Sequence, residues 1–281
     1  MSTRLLASGS LVLLLAACAT PSATTSAASE GRAPDSSQVS PPAPPAEKDD
    51  SLGLEQYVAL GVPSPERSWS GQDYAAAAQA LSALAQKSPP ELPRYQSTRS
   101  GPLFARLTSF ENVDAIERLQ VAPLARVQLA GSMMEPASQL LMLYIGANAA
   151  SGGFSTEMIE LQAFVTHAAA EMMEAIDQVP PTDIRNREAF ESGMAQIRMG
   201  LGKVAIGALT TVSERKVYSN EDRLRFLGTL KQDLPRLLPK LEPLTQQEVP
   251  VRIEKLLADE PSPEVKRELE ALRSALTAPA H

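Results

Sequence analysis

From about residue 72 onward the apolar residues recur at intervals of three and four, the spacing that gathers them on one face of an α-helix. The first such run, Gln72 to Lys87, turns Tyr74, Ala77, Leu81, Leu84 and Ala85 to one side. Ser68 or Ser70 caps it, because a side-chain oxygen there accepts from a first-turn N–H, and Pro89-Pro90 stop it. Thr108 and Glu111 have the spacing of a capping box, ahead of a helix that turns Val113, Ile116 and Leu119 inward. Val121 to Ala150 has only Arg126 and Glu135 as charges but is interrupted by Pro123 and Pro136. That predicts a core segment that is either a kinked helix or a helical hairpin.

The cleanest amphipathic helix follows the Ser151-Gly152-Gly153 break, with Met158, Leu161, Val165, Ala168, Met172 and Ala175 in one seam. Pro180-Pro181 end it, and Asp183 or Asn186 starts the next, which runs to about Arg215 along Met194, Ile197, Leu201, Val204 and Ala208. Ser219 with Asp222 caps a leucine-rich segment, Leu224 to Leu244, in which Pro235, Pro239 and Pro243 deny a continuous helix. Thr245 with Glu248, and Ser262-Pro263-Glu264, start two short closing helices. The fold expected is all-α, an irregular multi-helix bundle of about six to eight helices. Composition agrees: aromatics are 4% of the chain, whereas strands favour aromatic and β-branched side chains.

Residues 1–50 follow another pattern. Met1 to Arg4 has one positive charge, and Leu5 to Ala17 is apolar but too short to span a bilayer, as in a signal peptide. Leu15-Ala16-Ala17-Cys18 closes this run and resembles the lipobox of bacterial lipoproteins. The resemblance covers the leader alone. It implies cleavage before Cys18, a diacylglycerol on the Cys18 sulfur and an acyl chain on its freed amine. An ordinary cleaved signal that leaves a free cysteine is the other reading. Ala19, not an aspartate, follows the cysteine, which within the lipoprotein family implies the outer membrane, with the chain facing the periplasm or, as the alternative, exposed at the cell surface. From Ala19 to Asp50 the chain is rich in Ala, Ser, Thr and Pro, a composition that cannot bury enough apolar surface to fold. The organisation expected is a signal peptide over 1–17, an acylated tether over 18–50 and a helical domain over 51–281. Ser51 to Arg67 is expected to be a docking segment, with Leu52, Leu54, Tyr57, Val58 and Leu60 apolar.

Charge and chemistry narrow the function. The formal net charge is −7, so no basic field attracts nucleic acid. Cys18 is the sole cysteine and His167 the sole internal histidine, which excludes disulfides within the chain and thiolate metal clusters. His167, Glu171 and Glu174 share one helix face with Glu157 and Glu160, resembling half of a carboxylate-bridged metal site. No matching Glu-x-x-His exists elsewhere, so the pattern reads as a solvated or salt-bridged acidic face, and no metal or cofactor is expected. Arg94, Tyr95, Arg99, Ser100 and Arg106 form an acid-free loop that is a candidate ligand-binding region, with surface ion pairing as the alternative. Gly193, Gly200 and Gly207, spaced by seven, are candidate helix-packing positions, inside the domain or in a homo-oligomer.

Ser213-Glu214-Arg215-Lys216 matches an SxxK pattern, but Ser213 ends a helix and no KTG-like strand follows. Gly200-Leu201-Gly202-Lys203 sits inside a helix and lacks the first glycine and the Ser/Thr of a P-loop. The function expected is therefore a membrane-anchored envelope lipoprotein whose non-catalytic helical domain binds or scaffolds another envelope component, such as an envelope protein. An envelope hydrolase with paired carboxylates or an unrecognised serine is the alternative from another class.

Overall fold

The computed structural model describes residues 68–277, Arg99 excepted. The leader, the tether and the Ser51–Arg67 segment lie outside the described residues. Within them every regular element is helical: α1 (Gly71–Ala85), α2 (Gly101–Leu107), α3 (Glu111–Glu117), α4 (Pro123–Ser151), α5 (Ser155–Asp177), α6 (Arg187–Ser213), α7 (Asn220–Leu237), α8 (Pro243–Asp259) and α9 (Pro263–Thr277). Short 3-10 turns, Pro181–Asp183 and Leu238–Lys240, precede α6 and α8.

Three of the starts carry the side-chain cap that the sequence leads one to expect. Ser70 closes a full capping box with Asp73, Asn186 accepts from Ala189 N, and Ser219 accepts from Asp222 N. Two expected starts are corrected. Thr108 Oγ1 donates back to the Phe104 carbonyl, so α3 begins after Phe110 with no side-chain cap. Pro243, which has no N–H to leave unsatisfied, opens α8 ahead of Thr245.

α5 is the central element and packs on both α4 and α7; α1 packs on α4 and reaches α5 through Tyr74, and α9 packs on α7. Its seam is so widely covered that Phe164, Thr166 and Ala169 are all buried. The scarce aromatics concentrate around its first half: Tyr74 stacks on Phe164 at 5.1 Å, and Tyr144 meets Phe104 and Phe154 edge to face. Tyr74 OH donates to the Leu107 carbonyl and accepts from Asn112 Nδ2, while Asn112 Oδ1 accepts from Trp69 N. One asparagine thus fastens the entry of α1 to α3.

α4 is a single continuous helix through Pro136, which decides against the hairpin. Proline cannot donate to the carbonyl four residues earlier, that of Ser132. α1 arrives at this place: a Cβ built on Gly71 would lie 2.6 Å from that carbonyl oxygen and 2.2 Å from Ser132 Oγ. α4 packs against α1 and α5 and stays helical across the missing bond. Gly71→Ala is therefore expected to lower stability by about 1–3 kcal/mol, the usual range for overpacking, read as a shift in the urea midpoint with an unchanged slope.

α7 likewise continues through Pro235 to Leu237, and the break falls at the Leu238–Lys240 turn. Its N-terminal half is fixed by a buried ion pair. Arg223 donates to both oxygens of Glu260, and also to the Val212 carbonyl at 2.7 Å and Asn220 Oδ1 at 3.0 Å. Glu260 Oε1 in turn accepts from Ser262 N at 3.0 Å, so the pair locks the α8–α9 corner onto α6 and α7.

The three heptad-spaced glycines have different surroundings. Gly200 and Gly207 are buried, whereas a Cβ on Gly193 would meet nothing within 4 Å. The close approach of α6 to α8 falls at Gly202, whose Cβ would lie 3.1 Å from Thr245 Oγ1.

Candidate functional site

Three helices bring their charged residues together in the middle of the bundle. On α5 the positions His167, Glu171 and Glu174 succeed one another by one turn each. On α7, Asp233 and Arg236 are three apart, as are Asp114 and Glu117 on α3, so each pair shares a face. Asp233 is fully buried among the leucines of α7. Both of its carboxylate oxygens lie 3.2 Å from His167 Nδ1. The other ring nitrogen, Nε2, lies 2.9 Å from Asp114 Oδ1. Phe110, just before α3, stacks on the imidazole at 4.2 Å between centroids and 9° between planes, which covers a ring face and leaves both nitrogens at the edge.

Arg236 is the cationic counterpart. It donates to Asp233 Oδ1 at 3.0 Å and to Oε1 of both Glu171 and Glu174. The guanidinium suits this task because its donors fan out in one plane. Arg126 of α4 reaches Gln178 Oε1 at 2.6 Å and lines a small recess with Glu117 and Glu171. That recess holds about 10 Å³, room for roughly one water molecule.

The electrostatics follow from the packing. Burial alone pulls the His167 pKa down, but the hydrogen bonds and charges of Asp233 and Asp114 outweigh it and hold the imidazole above its ordinary value. Burial pushes the Glu171 carboxyl up, Arg236 opposes this, and the neighbouring Glu117 adds to the rise. Glu174 is held below the usual carboxylate range, chiefly by its hydrogen bond from Arg236. Asp–His is half of a nucleophile-activating relay, but the atom facing Nε2 is a carboxylate oxygen, where such a relay places a hydroxyl. The arrangement stores and positions charge.

The acidic face of α5 is thus largely salt-bridged, with Glu174 still partly open to solvent. Glu171 and Glu174 pair with Arg236, Glu160 with Arg225 at 2.8 Å, and Glu157 is buried and accepts from Tyr95 N at 2.6 Å. The arginine loop is built into the fold at the α4–α5 junction. The Arg94 guanidinium lies 3.4 Å over the Phe154 ring and donates to the Gly153 carbonyl. Arg225 lies 5.0 Å from the Tyr95 ring, and Ser100 is buried, its Oγ accepting from Arg94 N at 2.9 Å. The Arg106 carbonyl accepts from Asn112. Arg99 lies outside the described residues. Asp114, Asp233, Arg236 and Phe110 were missing from the sequence-derived candidates. One signal pointed to them: Asp233 occupies a seam position, three after Leu230 and four before Leu237, where an apolar residue is expected.

No known protein family, curated protein or solved structure matches this chain.

Proposed function

We propose that this protein is an acylated lipoprotein of the bacterial envelope. Its helical domain works as a non-catalytic binding or scaffolding module on a tether. The observation that carries the reading is Leu15-Ala16-Ala17-Cys18 at the end of a proper n- and h-region. Several acyl chains on Cys18 anchor stably, at about 0.8 kcal/mol per buried methylene, which leaves the helical domain no need to enter the bilayer. No helix of the described residues is long and apolar enough to cross a membrane. The tether of residues 19–50 reaches roughly 100 Å if fully extended in polyproline form and about 30 Å as a coil. An envelope partner, another protein or a second copy, then meets the domain away from the lipid surface.

The interior supports a binding role over a catalytic one. Most of the buried titratable groups pair with one another, and the recess beside Glu171 has room for roughly one water. Ala19 after the acylated cysteine favours the outer membrane, facing the periplasm. Density-gradient separation of the two membranes tests anchor and address together. The expected result is the protein in the outer-membrane fraction, resistant to high salt and released by detergent. Recovery in the soluble fraction, or release by salt alone, would overturn the reading.

A further inference from the structure

His167 has one N–H when neutral and two carboxylates to satisfy. With that proton on Nδ1, toward the fully buried Asp233, the Nε2 lone pair points at Asp114 Oδ1 across 2.9 Å. Two acceptors do not rest at that distance without a cation between them. The cation is either a second ring proton or a metal ion.

A neighbouring atom points to the metal ion. Glu171 Oε1 is held by Arg236, but Glu171 Oε2 is buried without a hydrogen-bond partner, on a side chain only 10% exposed. A proton on Nε2 satisfies Asp114 alone. A divalent ion takes Nε2, Asp114 and a Glu171 carboxylate oxygen together. The three residues already bring a ligand atom each to within 4.8 Å of one another. Asp114, 41% exposed at the rim, has the freedom to swing out to the roughly 3.3 Å that separates ligands around a tetrahedral ion with bonds of about 2.0–2.1 Å.

We propose that His167 Nε2, Asp114 and Glu171 bind a divalent transition-metal ion of the zinc class, with Asp233 as the outer partner that fixes the imidazole. A carboxylate hydrogen-bonded to the far nitrogen of a ligating histidine is the usual support of such a ligand, setting its tautomer and raising its basicity. One imidazole and two carboxylates suit zinc better than calcium or magnesium, which take oxygen ligands. Glu117, one turn along α3, brings a further carboxylate against Glu171 and Glu174. The matching half-motif absent from the sequence is thus supplied by a short helix, α3, that precedes α5 by some forty residues. The ion ties α3 to α5 and is reached from the surface side of Asp114.

The test uses the full-length chain in detergent, stripped with a chelator and titrated with zinc chloride by calorimetry. One equivalent is expected to bind and raise the melting temperature. Asp114→Asn, a change at an exposed position, and Glu171→Gln should each weaken binding by more than about tenfold. In parallel, His281→Gln leaves His167 as the sole histidine, and zinc should then move the histidine Nε2 resonance. Absence of zinc uptake, uptake indifferent to both substitutions, or an unmoved Nε2 resonance would overturn the proposal. Calcium bound in preference to zinc would do so as well, because it removes the imidazole from the ligand set.

Discussion

Replacing Glu260 with alanine is expected to destabilise the protein by about 3–5 kcal/mol, the range for removing one partner of a buried ion pair. Arg223 and Glu260 each keep only 1% of their side-chain surface. Truncation leaves the guanidinium still bonded to the Val212 carbonyl and Asn220 but with an uncompensated charge, and it orphans Ser262 N. Set against a typical total of 5–15 kcal/mol, the loss is a large part of the stability. Urea unfolding followed by circular dichroism reads it directly. A change under about 1 kcal/mol would mean that water reaches Arg223 when Glu260 is gone. Glu260→Gln, which keeps the shape and an acceptor for Ser262 N, should cost less.

Asp233→Ala is the second large effect, expected at about 3–5 kcal/mol because the residue is fully buried and pairs with both His167 and Arg236. Its signature lies in the pH dependence, measured with chelator present. The folded state holds the imidazole proton more tightly than the unfolded chain does. The resulting stabilisation is present in full below the ordinary histidine value of 6.5 and is lost as pH rises through the higher folded value. Removing Asp233 removes the larger of the two carboxylate contributions, so the variant's stability should fall less steeply across that interval. An equally steep fall in the variant would assign the dependence to another group.

The architecture was legible because its signals are local. Capping residues such as Ser70, Asn186 and Ser219 announce helix starts through bonds to their own next turn, and the three-and-four spacing needs no knowledge of partners. The misreadings came where tertiary contact overrides a local rule. Pro136 and Pro235 are strong breakers in isolation, yet α4 and α7, packed against neighbouring helices, stay helical through them. Thr108 and Glu111 had the right spacing, but the hydroxyl found the Phe104 carbonyl first.

The charge network was half legible. His167, Glu171 and Glu174 stood out by their helical spacing, since they lie on one element. Asp114 and Asp233 lie 53 and 66 residues from His167, and no spacing rule reaches that far. Asp233 within the leucine seam of α7, and likewise Arg223 one turn before Leu227, are charges at core-facing positions. A charge placed there requires a buried partner, although the sequence does not say which.

The account rests on Cys18. Metabolic labelling with a palmitate analogue tests it most directly, comparing the natural chain with Cys18→Ala. The account predicts strong labelling of the natural chain and none of the variant. Labelling that survives the substitution undiminished would contradict it.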